Sequence, residues 1–584
     1  MRIRSKRLLS LAAIGATAVL AVSACSGGGG ETPPQTGSAG FADCDANPDT
    51  CNSGEVADGG EIVFAAEQEF TSWAQFTDEG NAFVGSQVLQ GVLPQLYVFT
   101  PSGKHQWNMD LLAEEPQMTS TSPQTMVYKF RPEAKWSDGT DITVDDVILQ
   151  WKMRSGRPDH CNGCTPASTS GWDKIESIEG SDNGKTFTIK LKPGEVHAEW
   201  FGIVDALYPA HLAKAAGADL NTPDGVAKAE KWFSENVPNW SGGPYKIDQF
   251  TPGQAVILVP NENWYGKTKP KLNKVTYRFI TDQGQLIPAL QNKEIHAAYP
   301  QPNPDLVEQA NNTPGVITRI GHGYQWEHID LNLKNKWLAD PELRKAIFTA
   351  ISVKEINDKT FGSFDPKIQQ LGNHVFMNGT QYYKDVITST GQGSGDIEKA
   401  KQILTAAGYT LDGDVLKKNG ETVGPFRFRH TEGNQLRATT GEIVQSALKK
   451  IGITVNIEPT ATLGATLAQG DFDIMIFAWV GNPLFLDSLG QIWKTDGGGN
   501  YGKYSNPEVD KLIDEALQQT DISAAAEKAN QAMEIMAKDA YVLPIAQKPT
   551  FLMVYGDYLN VRDNPTNSGP AYNNHEWGLK PSVN

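Results

Sequence analysis

Two Gly-Lys-Thr triplets are the segments of this 584-residue chain that come nearest to a catalytic motif. A lysine and a threonine that follow a glycine can hold nucleotide phosphates and Mg²⁺, but only when another glycine stands five positions earlier and shapes the loop. That position is Glu179 for the triplet at Gly184 and Asn261 for the triplet at Gly266. Neither triplet therefore predicts a phosphate-binding loop.

Other catalytic motifs are absent from the sequence. It has no Gly-x-Ser-x-Gly turn and no His-Glu-x-x-His segment, and its ten histidines lack metal-ligand spacing. The segment Gly391–Gly395 lacks the final glycine of a dinucleotide-binding loop. We therefore predict a protein that is not an enzyme and has no cofactor and no metal site. A carboxylate pair for glycoside hydrolysis is the alternative, because acidic residues occur throughout the chain.

The first 24 residues have the pattern of an export signal. Basic residues precede an apolar run from Leu8 to Val22, which is shorter than the roughly 20 residues that a membrane-spanning helix needs. Two small residues then precede Cys25, and this order resembles the signal of bacterial lipoproteins, in which the cysteine is acylated after cleavage. We expect residues 1–24 to be a signal peptide and Cys25 to carry a lipid that anchors the protein to the outer face of the cell membrane. An ordinary secretory signal is the alternative.

Charge limits the possible partners. The chain has 51 basic and 68 acidic side chains, and loss of the four basic residues of the signal brings the net charge to −21. Nucleic acid and anionic lipid headgroups both require a basic face, so neither is an expected partner. No later segment is long and apolar enough to span a membrane, so we expect membrane attachment by the lipid alone.

Four cysteines remain when Cys25 is set aside. Cys44 and Cys51 lie in residues 25–60, a segment rich in Gly, Pro, Ser and Asp that we expect to be a flexible linker. Outside the cell we expect one disulfide there and a second between Cys161 and Cys164. A redox role would require a strand and a helix around the second pair, and zinc would require four ligands; neither context is evident.

The elements that must position functional side chains are of mixed α/β type. Glu61 to Ala66 predicts a short strand, and the apolar spacing from Asn81 to Leu96 predicts a helix. Residues 472–480 are almost continuously apolar, which is typical of a strand that is buried on both faces. Asp340 and Pro341 have the residue types of a helix start.

Residues 130–147 read Phe-Arg-Pro-Glu-Ala-Lys-Trp-Ser-Asp-Gly-Thr-Asp-Ile-Thr-Val-Asp-Asp-Val. They predict a strand, a tight turn at Asp138-Gly139 and a helix that begins at Val144 after the capping residue Thr143. This sequence resembles the signature motif of the extracellular solute-binding proteins of family 5, which serve peptide and nickel importers of the ATP-binding-cassette type. The resemblance extends from about Glu61 to the end, and further segments match in the same order: Gly242–Ile247, Val256–Asn261, Trp264–Gly266, Leu331–Leu333 and Asp340–Ile347.

The resemblance implies an α/β fold of the two-lobed periplasmic-binding-protein type, in its large three-subdomain form. We assign residues 61–104, 206–325 and 541–584 to the core of lobe I, 105–205 to an extension of lobe I, and 326–540 to lobe II. The chain would then cross between the lobes twice, near residues 326–330 and near Tyr541. Two such crossings would form a hinge that lets the lobes close on a ligand.

The family also implies a function. We expect a monomer that captures a small solute, above all short peptides, and delivers it to an ABC permease driven by its ATPase subunits. A neutral oligosaccharide or another non-peptide solute is one alternative ligand. A third possibility is an envelope lipoprotein that keeps the fold but has a regulatory or scaffolding role.

The ligand residues follow from the same resemblance. In the peptide binders, the loop after the strand that corresponds to residues 472–480 carries a tryptophan and, three residues later, an aspartate that pairs with the peptide's amino terminus. This chain has Trp479 and Asn482 there, so the charge of the aspartate is missing. Either Asp487 supplies the charge, or a neutral ligand stacks on Trp479. A core position is the alternative for Trp479. The expected ligand-binding set is completed by three further residues: Trp326, Arg437 and Trp73.

Overall fold

The computed structural model describes residues 40–581. Its strands are β1 Glu61–Ala66, β2 Tyr97–Phe99, β3 His105–Trp107, β4 Gln117–Thr121, β5 Gln124–Lys129, β6 Ile175–Ser181, β7 Thr186–Leu191, β8 Tyr245–Thr251, β9 Ala255–Pro260, β10 Lys274–Phe279, β11 Ala297–Ala298, β12 Val316–Leu331, β13 Tyr409–Asp412, β14 Val415–Lys418, β15 Glu421–Thr422, β16 Phe426–Thr431, β17 Val455–Thr460, β18 Ile474–Val480, β19 Val542–Tyr555, β20 Tyr558–Leu559 and β21 Gly578–Leu579.

The helices surround these strands. They are α1 Phe83–Leu89, α2 Val144–Arg154, α3 Ala210–Ala215, α4 Pro223–Glu235, α5 Leu286–Gln291, α6 Pro304–Asn311, α7 Pro341–Ala350, α8 Val353–Thr360, α9 Ile397–Ala406, α10 Gln435–Lys449, α11 Leu463–Gln469, α12 Leu486–Ser488, α13 Pro507–Leu517 and α14 Ile522–Lys538. A further helical turn, Leu489–Trp493, continues α12.

Local sequence accounts for the helix boundaries. The side chain of Thr143 accepts a hydrogen bond from the Asp145 N–H, and Asp146 accepts one from the Thr143 N–H, so the predicted start of α2 is confirmed. α1 ends earlier than predicted, at Leu89 instead of Leu96. Gly91 and Pro94 follow its end, and both residue types are unfavourable inside a helix.

A ten-stranded sheet is the centre of the fold. Its strand order is β17-β16-β18-β12-β19-β11-β1-β10-β9-β8. β12 and β19 are its longest strands, with 16 and 14 residues, and they run antiparallel to each other. One half of this pair is flanked by β11, and the other half by β18. The two strands therefore connect the two ends of the sheet.

The pairing of β12 with β19 is interrupted near its middle. His322 pairs with Pro549, and the next paired residue of β12 is Trp326, opposite Gln547. Three residues of β12 thus face a single residue of β19, which locally breaks the ladder. The interruption separates the part of the sheet near β1 from the part near β18.

Apolar side chains form separate cores on the two sides of this interruption. The first contains Ile62 of β1 together with Met126 and Phe187. The second contains Phe348 of α7 and Phe428 of β16. A further core lies under α13 and α14, and it includes Trp493. A two-lobed α/β architecture is the physical result, because each core buries its own set of helices and strands.

A four-stranded sheet of order β4-β5-β7-β6 lies within residues 105–205. Its inward side chains, such as Met126 and Phe187, belong to the same core as β1. This sheet therefore packs onto the core that contains β1. The lobe boundaries given above remain predictions.

Residues 40–60 differ from the flexible linker that composition predicts. A disulfide joins Cys44 to Cys51, and both cysteines are buried. The Asn52 amide donates to the backbone oxygens of Tyr558 and Val561, so this segment is fixed to the C-terminal part of the chain. The structure also joins Cys161 to Cys164.

The predicted signal peptide, residues 1–24, and the predicted acylation site Cys25 lie outside the described residues. Within residues 40–581, no helix has both the length and the apolar character needed to cross a membrane.

Candidate functional site

Two of the predicted ligand residues, Trp326 and Trp479, lie opposite each other where β18 ends beside β12. The two strands are antiparallel, and Trp326 is paired with Trp479 while His328 is paired with Phe477. Because directly opposed residues point to the same side of a sheet, these four side chains share one face. The neighbouring residue Glu327 points to the other face, so the two strands present an aromatic face and a charged face.

Trp479 lies at the open end of the aromatic face and is half-buried. Its ring plane is within 11° of that of Tyr501, with the centroids 5.9 Å apart, and within 13° of that of His328 at 6.2 Å. Its indole Nε1 is buried and has no hydrogen-bond partner among the described residues. Val480, the next residue, is 50% exposed. Trp479 thus packs against aromatic neighbours and keeps part of its side chain accessible to solvent.

Asn482 follows in the loop after β18. Its side-chain oxygen accepts a hydrogen bond from the Leu484 N–H at 2.7 Å. The oxygen therefore stabilises the loop, while the side-chain amide remains as a donor. An amide donor suits a carbonyl or carboxylate group of a ligand better than it suits an ammonium group.

Asp487 is a carboxylate in α12, directly after this loop. Its Oδ1 accepts a hydrogen bond from Ser168 Oγ at 2.7 Å, and Oδ2 makes none of the hydrogen bonds found within residues 40–581. Burial raises the pKa of Asp487, and Arg154 opposes the shift. Asp487 is therefore a largely desolvated carboxylate with an acceptor oxygen still available.

Glu199 is a second buried carboxylate at the same place. Oε1 accepts from the Phe485 N–H at 2.8 Å, and Oε2 accepts from the Leu486 N–H at 3.1 Å. Burial raises the pKa of Glu199 to about 8, and the charge of Asp487 adds to the rise. No sequence pattern pointed to Glu199, because its partners lie 286 and 287 positions away.

Arg437 lies in α10 and contacts Glu327 on the charged face of the sheet. Its guanidinium donates to both carboxylate oxygens of Glu327, and Lys548 lies 3.4 Å from Glu327 Oε2. Burial opposes ionisation of Glu327, but the two cations outweigh it and hold the pKa of Glu327 at about 2. Lys548 also donates to Gln301 Oε1 at 2.7 Å. Arg437 is therefore committed to a buried ion cluster beside the interruption of β12.

The other two tryptophans of the predicted set are buried. Trp326 is 4% exposed. The centroid of its ring lies 4.4 Å from that of His328 and 6.2 Å from that of Trp493. Trp73 is 5% exposed and makes edge contacts with Phe70 and Phe250 in the core of the first lobe. Other side chains surround both rings. Any effect of these two tryptophans on ligand binding would therefore act through the residues that they support.

Two residues beside Trp479 were missed by the sequence reasoning. His328 is fully buried, its Nδ1 lies 2.6 Å from Asp330 Oδ1, and its Nε2 has no partner within the described part of the chain. The alternation of Trp326, His328 and Asp330 along one strand was a signal that could have placed them on one face. Tyr501 had no such signal, because it lies in a loop.

Comparison with known proteins identifies the family. The profile of the bacterial extracellular solute-binding proteins, family 5, matches residues 109–501. The oligopeptide-binding protein OppA of Mycobacterium tuberculosis is 30% identical over 82% of this chain and 79% of its own length. The family recognised from the sequence motifs is thus confirmed.

Solved structures of related proteins confirm the two-lobed α/β fold. A periplasmic EDTA-binding protein, EppA, superposes with a TM-score of 0.87 at 35% identity, covering 92% of this chain and 99% of EppA. The oligopeptide-binding protein AppA of Bacillus subtilis, solved with a nonapeptide, gives a TM-score of 0.74 at 21% identity, covering 90% and 100% of the two chains. The family consists of transport proteins that bind solutes without transforming them, which agrees with the predicted lack of enzyme activity. This chain belongs to the bacterial extracellular solute-binding proteins of family 5.

Proposed function

We propose that this substrate-binding protein of an ABC importer captures short peptides between its lobes and delivers them to a membrane permease. The observation that carries the choice of peptides is Asp487, a largely desolvated carboxylate with a free acceptor oxygen in α12, which follows the loop after Trp479. Such a group can receive the ammonium of a peptide's amino terminus through a charge-assisted hydrogen bond. The relationship to OppA, named as an oligopeptide-binding protein, supports the proposal.

The surroundings of Asp487 also favour a cationic group. Asp173 is a nearby acidic residue, and Arg154 is engaged by Asp205 at 2.6 Å. Asn482 then contributes an amide donor, which can bind a peptide carbonyl oxygen, and Trp479 provides an aromatic surface for a side chain. Trp326 and Arg437 support this surface from the two faces of the sheet.

A metal chelate or another polycarboxylate is the second candidate ligand. EppA, which is 35% identical and superposes well, is named for binding EDTA, a polycarboxylate chelator. The free amide of Asn482 could bind a carboxylate as readily as a carbonyl group. The negative charge of Asp487 disfavours this ligand, because it would repel an anion.

The ligand can be identified directly. The protein would be purified from its native host, the bound material extracted and its mass determined. We expect a mixture of short peptides. A single chelate, polycarboxylate or neutral oligosaccharide would contradict the peptide proposal, and a reproducibly empty protein would favour a regulatory or scaffolding role.

We further propose that the protein is held at the outer face of the cell membrane by a lipid on Cys25. Replacing Cys25 by Ala is expected to release the protein into the medium, because residues 40–581 contain no helix that could cross a membrane. Fractionation of cells and medium measures the effect. Cys25→Ser is a matched second variant, and membrane retention of both would contradict the lipid anchor.

A further inference from the structure

A single side chain joins the two parts of the central sheet at the interruption of β12. Lys548 is the residue of β19 between Pro549 and Gln547, so it faces the three residues of β12 that have no partner on β19. It is 4% exposed, and a buried ammonium group requires partners for its charge and its donors. We call the part of the sheet near β1 the β1 half and the part near β18 the β18 half.

The partner of Lys548 in the β1 half is Gln301. The ammonium group donates a hydrogen bond to Gln301 Oε1 at 2.7 Å. Gln301 follows β11, and its backbone N–H donates at 2.9 Å to a carboxylate oxygen of Glu67, which directly follows β1. The side chain of Gln283 donates to the same oxygen at 3.0 Å. Gln301 is therefore fixed to the strands of the β1 half.

The partner of Lys548 in the β18 half is Glu327, whose Oε2 lies 3.4 Å from the ammonium nitrogen. Glu327 is paired with Ala478 of β18, and the guanidinium of Arg437 donates to both of its carboxylate oxygens. Glu327 thus keeps its place in the β18 half without help from Lys548. Lys548 is the member of the ion cluster that extends it to the other half of the sheet.

In the same arrangement, the first-lobe extension touches the segment that follows β18, which consists of the ligand loop, residues 481–485, and α12. Ser168 Oγ donates to Asp487 Oδ1 at 2.7 Å. Trp172, close to Ser168 in the chain, belongs to the core of β1, whereas Leu486, beside Asp487, belongs to the core under α13 and α14. These two cores are thus in contact while the ammonium group is bonded to both halves of the sheet.

We propose that Lys548 is a positioning residue that holds the two halves of the sheet in this closed arrangement and thereby sets the affinity for the ligand. It acts through the relative position of the two halves and not through a contact with the ligand. Its link to ligand binding rests on the proposed function.

The physical reason is the short reach of one ammonium group. Gln301 Oε1 and Glu327 Oε2 are held by different parts of the sheet, so a rotation about the interruption changes the distance between them. Once this distance grows, Lys548 cannot keep both partners. A hydrogen bond from a charged donor is stronger than one between neutral groups, so its loss disfavours the open arrangement. Removing the ammonium group should therefore favour opening, and the apparent affinity falls with the fraction of closed molecules.

Two substitutions remove the connection in different ways. Gln301→Met removes the partner in the β1 half and leaves the ion cluster of Lys548, Glu327 and Arg437 intact. Lys548→Met removes both connections, but Glu327 keeps Arg437 as its counter-ion. Gln249→Met on β8 is the matched control, because Gln249 is exposed and its side chain bonds only to a threonine of the same strand. The thermal midpoint of each variant checks its folding.

The first measurement needs no ligand. Spin labels on cysteines introduced at Glu179 of β6 and Lys399 of α9, both exposed positions, report the distance between the extension and the β18 side of the molecule. The Cys25→Ala form is used, because the four cysteines among residues 40–581 are joined in two disulfides and do not take up the label.

We expect the ratio of closed to open molecules to fall about tenfold in Lys548→Met, the effect of losing one charged hydrogen bond, and to fall in Gln301→Met as well. Gln249→Met should match the wild type. The double variant should open no further than Lys548→Met, because both connections end at the same ammonium group. Distances that are the same in the wild type and in both single variants would overturn the proposal, and so would effects that add in the double variant.

The second measurement is the affinity for a synthetic probe, pentaalanine. We expect its Kd to rise about tenfold in Lys548→Met, to rise in Gln301→Met and to stay unchanged in Gln249→Met. A lower thermal midpoint of Lys548→Met with unchanged label distances and an unchanged Kd would reveal a purely structural role and contradict the proposal. If pentaalanine fails to bind the wild type, the peptide proposal fails, while the label distances still decide the role of Lys548.

Discussion

Replacing Asp487 by Asn is expected to weaken the binding of a free-amino peptide by about 2–5 kcal/mol, because the ammonium group would lose the partner of a desolvated charge pair. The substitution keeps the shape of the side chain and an oxygen that can still accept from Ser168. Titration calorimetry with pentaalanine at pH 7 measures the loss.

N-acetylated pentaalanine provides the second arm of the experiment. It lacks the ammonium, so it should bind the wild type weakly and should bind Asp487→Asn with nearly the same affinity. Asp496→Asn is the matched control variant, because Asp496 is an exposed acid in the segment that precedes Tyr501. Equal losses for the free and the acetylated peptide would show that Asp487 acts on the loop and not on the ammonium.

Trp479→Ala separates the ligand classes further. A neutral oligosaccharide would depend on stacking, so its binding would be lost in Trp479→Ala and retained in Asp487→Asn. A polycarboxylate would bind more tightly to Asp487→Asn, because a repulsive charge is removed. Only a peptide is expected to lose affinity in Asp487→Asn and to lose this sensitivity on acetylation.

The substitution Arg437→Met is expected to lower the free energy of unfolding by about 1.5–3 kcal/mol at pH 7, because the buried carboxylate of Glu327 loses the charge-assisted hydrogen bonds of the guanidinium and keeps only Lys548 as a counter-ion. Urea denaturation measures the change. Lys336→Met is the control: Lys336 pairs with Glu421 on the surface, where water and salt screen the ion pair, so its loss should leave the free energy of unfolding almost unchanged.

The pH dependence of stability gives an independent check on this cluster. The pKa of Glu327 is about 2 in the folded protein and near 4.5 in the unfolded chain. Its stabilising contribution is therefore fully present above about pH 4.5 and is lost as the pH falls towards 2. The penalty of Arg437→Met should shrink between pH 7 and pH 3, since protonation of Glu327 in the variant removes the charge that Arg437 would otherwise stabilise. A penalty that is the same at both pH values would contradict the assignment.

Motifs with local causes were predictable from the sequence. The cap at Thr143 and the proline start at Pro341 depend on hydrogen bonds and backbone angles within a few residues, and both are found in the structure. The apolar run of residues 472–480 likewise becomes β18, which is buried along most of its length. Because these local features occur in a fixed order along the chain, they also identified the family and its two-lobed α/β fold.

The contacts that shape the candidate site were decided by the tertiary structure. Glu327 meets Arg437 across 110 positions, and Glu199 meets Phe485 across 286. A chain with 68 acidic residues offers many equivalent carboxylates, and neither charge nor spacing in the sequence shows which of them become buried. That choice depends on how β12 and β18 align and on how the extension packs against the ligand loop, because a carboxylate's environment is set by side chains and backbone groups that are distant in sequence.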